Sequence, residues 1–124
     1  MGCDIHATIE ASGIYHDGVP YYLTQATVEL DRYYAMFERL AGVRGDKSVA
    51  IVQPRGIPAD ASWRAKEYAR DSDLHSHSWL TYEEFKAAVE SVNKHDHTYA
   101  AALAYMKVLV DAGMIVRIVF AFDN

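Results

Sequence analysis

Apolar and polar residues alternate from Cys3 to Glu10. Cys3, Ile5, Ala7 and Ile9 fall on one side of an extended chain, and Asp4, His6, Thr8 and Glu10 fall on the other. The same period of two returns at Met114–Asp123, where Val116, Ile118, Phe120 and Phe122 alternate with Arg117, Val119, Ala121 and Asp123. Both segments are therefore predicted strands. Asp17-Gly18 is a hairpin signal flanked by Ile14-Tyr15 and Tyr21-Tyr22-Leu23, which predicts one or two more strands before residue 25, with Pro20 at an edge.

Between the strands the period changes. Leu30, Tyr33, Tyr34, Phe37, Leu40 and Ala41 form one stripe, which predicts a helix over Asp31–Ala41 stopped by Gly42. Val49–Val52 reads as a short strand, and Pro54-Arg55-Gly56-Ile57-Pro58 as an extended connection. Asp60 or Ser62 can cap a helix over Trp63–Arg70. Asp71–Ser78 has turn-forming residues and no period. Thr81-Tyr82-Glu83-Glu84 is a capping box for a helix with Phe85, Ala88, Val89 and Val92 at core spacing, ending at Asn93. Thr98 is the expected cap of a last helix, which turns Ala102, Leu103, Met106, Leu109 and Val110 inward and stops at Gly113. Terminal strands with helices between them predict a single α+β domain over residues 1–124. Its sheet is small and mainly antiparallel, with the N- and C-terminal strands adjacent and three to four helices packed on it.

Composition narrows the partners. The 124 residues carry 17 acids and 12 bases, with no basic block, which speaks against a grip on duplex nucleic acid through backbone charge. No apolar run approaches the roughly 20 residues of a membrane span, and no secretory signal is evident. Cys3 is the single cysteine and no intramolecular disulfide can form, so a reducing, cytoplasmic setting is expected. The nucleophile elbow, the phosphate-loop motif and the dinucleotide fingerprint are all missing, which removes the enzyme classes read from those motifs, serine hydrolases included.

Chemistry concentrates in four places. Asp4 and His6 stand in the polar row of the first strand, about 7 Å apart; the same row also suits a solvated sheet face. In Asp73-x-His75-x-His77 the two imidazoles, two apart in an extended segment, point the same way. With Asp4 or His6 they make a donor set for a divalent ion such as zinc or manganese; they also suit plain turn contacts. His95-Asp96-His97 is a weaker version in an interhelical turn. Arg44 and Arg55, in glycine- and proline-rich loops, suit a phosphate or carboxylate, with Arg117 a further member. Among nine tyrosines, the pairs Tyr21-Tyr22 and Tyr33-Tyr34 each divide between core and solvent, which leaves Tyr34 to stack on a base.

The opening Met1-Gly2-Cys3-Asp4-Ile5-His6 resembles a group of small, mostly uncharacterised tailed-phage and prophage proteins. The likeness continues through Arg32–Phe37, Leu40–Arg44, Pro54–Pro58, His75–Thr81 and Val119–Asn124, and departs from the group over Ile14–Glu29. It implies an origin in an infected bacterial cell and a counter-defence role. Three functions remain open. One is sequestration of a phosphate-bearing, nucleotide-like small molecule by Asp4, His6, Tyr34, Arg44, Arg55, His75 and His77 in one pocket. Another is a metal-dependent phosphoesterase using the His-x-His segment, and the third is docking on a host protein. Sheet edges and surplus tyrosines also make a homo-oligomer an expectation.

Overall fold

The computed structural model describes residues 2–12, 15–16 and 19–124. Strand β1 (Asp4–Ser12) is followed by two short strands, β2 (Tyr15–His16) and β3 (Val19–Pro20), and then by β4 (Leu23–Val28). Helix α1 (Tyr34–Ala41), a 3₁₀ turn (Lys47–Val49) and helix α2 (Trp63–Arg70) precede β5 (His75–Thr81). Helices α3 (Tyr82–Ser91) and α4 (His97–Asp111) lead to β6 (Ile115–Asp123). Four strands make one antiparallel sheet in the order β4-β1-β6-β5, so the two alternating segments lie side by side at its centre. The fold is α+β, as the pattern predicts. No helix among the described residues is long and apolar enough to cross a membrane.

One face of the sheet carries Ile5, Ala7 and Ile9 from β1 beside Ile118, Phe120 and Phe122 from β6, all at most 7% exposed. Met36, Phe37 and Leu40 of α1, Phe85 and Ala88 of α3, and Tyr99, Ala102 and Met106 of α4 close over it. Fully burying a side chain of this size contributes about 1.5–3 kcal/mol, and this face supplies most of the core. The polar side of β1 is not a solvated face beyond His6. Thr8, Glu10 and Ser12 are buried, because α2 lies across that side: Tyr68 Oη meets Thr8 Oγ1 at 2.7 Å, and the Ser62 N–H donates to Glu10 Oε1 at 2.8 Å. Arg117 pairs with Glu10 there, donates to Asp60 at 2.8 Å and lies 3.5 Å from the centre of the Tyr22 ring. Arg117 is thus a buried structural cation and does not join a loop site.

Several boundaries differ from the sequence reading. Helix α1 begins at Tyr34, three residues late, with Tyr33 at its cap making no side-chain bond. Val49–Val52 is no strand: Asp46 caps the 3₁₀ turn instead, accepting from Ser48 N at 2.9 Å. Asp96, not Thr98, caps α4, accepting from Thr98 N–H and from its hydroxyl. The capping box of Thr81 and Glu84 forms as expected. The turn residues Asp17 and Gly18 lie outside the described residues, although β2 and β3 do pair antiparallel.

The largest difference is β5. His75–Thr81 pairs with β6, with His75 opposite Phe122 and Ser78 opposite Phe120, so three steps on β5 answer two on β6. Ser76 takes up the extra residue with φ 54, in the left-handed region. The bulge erases the period of two, and so the strand was invisible to periodicity.

Candidate functional site

A cleft of about 540 Å³ opens where the C-terminal end of α1, the loop after it and the start of β5 meet. Its geometry begins at Gly42. There the chain leaves α1 with φ +71, the Gly42 N–H reaches Glu38 O at 2.9 Å and the Val43 N–H reaches Phe37 O at 3.3 Å. This left-handed closure ties off the last carbonyls of the helix and turns the chain sharply. Arg44 follows, also left-handed at φ 60, with its guanidinium 5.3 Å from the centre of the Tyr34 ring. Lys47 stands on the 3₁₀ turn, which Gln53 braces by donating to Lys47 O at 2.8 Å. The opposite wall is His75, Ser76 and Asn124.

Two cations line this cleft and, among the described residues, no acidic side chain does. That composition suits an anion. Arg44 and Ser76 are also the non-glycine residues with positive φ among those described, and both lie on its walls. Left-handed backbone costs such residues about 1–2 kcal/mol, and it concentrates at ligand and active sites.

The single pocket expected from the sequence divides into separate places. Arg44 and His75 meet in the cleft. Tyr34 lies beneath Arg44 and accepts the Cys3 N–H at 3.1 Å, so it supports the arginine and presents no stacking face to the cleft. Cys3 is fully buried nearby; burial pushes its thiol up, with the Arg44 charge opposing. Asp4 and His6 line a second hollow of about 430 Å³ on the α2 side of the sheet. There Arg32 donates to Asp4 at 2.9 Å and holds that carboxyl below its ordinary range, while His6 Nε2 meets Asp123 Oδ2 at 2.5 Å. Arg55 joins neither hollow. It forms a two-bond fork with Glu84 at 2.8 and 2.6 Å and stacks 4.3 Å from the centre of the Trp79 ring.

His77 leaves the set for a geometric reason. Because Ser76 is bulged, His75 and His77 project from opposite faces of the sheet. His75 packs against Phe122, and His77 Nε2 donates to Tyr68 O at 2.9 Å, on the α2 side. The expected donor set of His75, His77, Asp4 and His6 is therefore not brought together. Among the described residues, three metal-ligating side chains converge at Asp31, Asp96 and His97, where Asp96 already serves as the cap of α4. The His95-Asp96-His97 turn thus places two of its three residues there, joined by an aspartate from the other side of the chain.

Lys47, Ser76 and Asn124 are cleft residues that sequence reasoning passed over. Only the 44–47 spacing of two bases in a glycine-containing loop carried a signal for Lys47; Asn124 is 49 positions from its partner His75. No protein-family description, curated protein or solved structure matches the chain.

Proposed function

We propose that the protein is a binding module that sequesters a phosphate-bearing, nucleotide-like small molecule in the cleft between α1 and β5. The observation that carries this reading is the lining itself: Arg44 and Lys47 on one wall, His75 and Asn124 on the other, and no acidic side chain among the described residues. The cleft volume falls within the roughly 300–1,000 Å³ of ordinary small-molecule sites. Arg44 is held ready by its stack on Tyr34, so little side-chain freedom is lost when it meets a phosphate. Asn124 and Gln53 offer amide groups of the kind that read hydroxyls or base edges. The resemblance to phage proteins gives such sequestration its setting, removal of a nucleotide signal used in host defence, in the cytoplasm of an infected bacterium.

Calorimetric titration with inorganic phosphate, AMP, ATP and 3′,5′-cyclic AMP tests the reading. The expected result is a nucleotide bound well above phosphate, and lost in a protein carrying Arg44→Ala and Lys47→Ala, with Arg55→Ala unchanged. Equal, weak binding of all four probes, or binding indifferent to the Arg44/Lys47 pair, overturns it.

A further inference from the structure

One wall of the cleft holds more than binding requires. Asn124 Oδ1 accepts from His75 Nε2 at 2.5 Å, so the imidazole carries its proton on that nitrogen and presents a lone pair on Nδ1. Ser76 Oγ lies 3.0 Å from Nδ1, placed to donate its hydroxyl proton. The ring also lies beside Phe122, which is fully buried, with the ring centres 6.3 Å apart. A hydroxyl bonded to an imidazole, itself held by a third group, is the arrangement that activates a serine, whatever the order of the residues along the chain. The missing nucleophile-elbow motif speaks only of one way to present such a serine. Here the β-bulge presents it, with Ser76 in the left-handed conformation and its side chain turned to the cleft.

We propose that Ser76, His75 and Asn124 form a catalytic triad that hydrolyses a phosphate ester bound in the cleft. This rests on the anionic-ligand reading given above and extends it from holding the ligand to cleaving it. Ser76 Oγ attacks phosphorus, an Oγ–P bond forms, and the hydroxyl proton passes to His75 Nδ1. The P–O bond to the leaving alcohol breaks, and that alkoxide takes the proton back from His75. Water then attacks the phosphoserine, gives a proton to Nδ1 and expels Oγ, which recovers that proton. The net change is one ester bond exchanged for water. Arg44 and Lys47 face the developing charge on the phosphoryl oxygens. Asn124 is a positioning residue, acting through the His75 tautomer.

Two probes independent of the natural ligand test the triad: a fluorophosphonate, which loses fluoride to an activated serine, and turnover of bis(p-nitrophenyl) phosphate. Ser76→Gly is the informative variant, because glycine keeps the left-handed backbone and removes the hydroxymethyl group that carries the nucleophile. The expected results are a label on Ser76 in the wild type, no turnover in S76G, and a loss on the order of 10²-fold or more in His75→Ala. Asn124→Ala lowers kcat about tenfold or more, and Asn124→Asp, which keeps the acceptor, restores part of it. An unlabelled Ser76, or S76G turning over like the wild type, overturns the triad. Nucleotide titration of the same proteins separates the two readings. Binding without label leaves sequestration standing alone, label without nucleotide binding leaves the triad standing alone, and neither overturns both.

Discussion

Gly42 sets the direction in which Arg44 enters the cleft, and it does so under two constraints at once. Its φ is +71, and a Cβ added there would lie 2.7 Å from the Lys47 Cα, a backbone atom that cannot step aside. Gly113, at φ +88, has open space around it and carries only the conformational constraint. Gly42→Ala is therefore expected to cost about 2 kcal/mol or more and Gly113→Ala about 1 kcal/mol, a difference that paired thermal melts will read directly. Glu84 carries a second residue-scale consequence. The Arg55 fork, aided by the Thr81 cap, holds its carboxyl below the ordinary value of 4.5. A depressed carboxylate stabilises the fold above its unfolded pKa, and that contribution fades as pH falls through the folded value. The wild type should thus lose stability below about pH 4.5 more steeply than Glu84→Gln, which keeps the capping bond but has no charge to protonate. Urea melts at pH 3 and pH 7 compare the two, and equal slopes would refute the assignment.

At the scale of elements, the second face of the sheet departs most from what alternation reveals. A period of two assigns Asp4, His6, Thr8 and Glu10 to one side but is silent about what covers it. Helix α2 does so over Thr8 and Glu10, which leaves Glu10 fully buried against Arg117. Removing one partner strands the other charge out of water: Arg117→Met is expected to destabilise by about 3–5 kcal/mol, and adding Glu10→Leu to recover much of that loss. Denaturant midpoints of the two single variants and the double give the coupling. The elements that were legible share a simple reason: β1, β6 and the start of α3 are built from local periodicity and a local capping box. The candidate site was legible only in part. Arg44 and His75 stood out by type and loop context, whereas the bulge that turns His77 away from His75 depends on pairing with β6 more than 40 positions on, and the carboxylate that takes Arg55 out of the loops lies 29 positions away.

Over the whole molecule, the cleft and the second hollow sit on opposite sides of a sheet whose two central strands are β1 and β6. Those strands are covered on both faces, while β4 and β5 have only one strand neighbour each. Hydrogen exchange should rank them accordingly, with β1 and β6 amides opening only by global unfolding and β4 amides by local fraying. Uniform protection across the four strands would contradict this layering.

The central pairing also dictates when the protein can fold. His6 meets Asp123 and Glu10 meets Arg117 across 117 and 107 positions of chain, so the first strand made waits for the last. Until then β1 has a bare edge along which strangers can pair, and nascent chains are most open to aggregation in that interval. Contacts this distant slow folding because a loop of nearly the whole chain must close first. A circular permutant that joins β6 to β1 by a short turn converts that closure into a hairpin, and it should refold markedly faster.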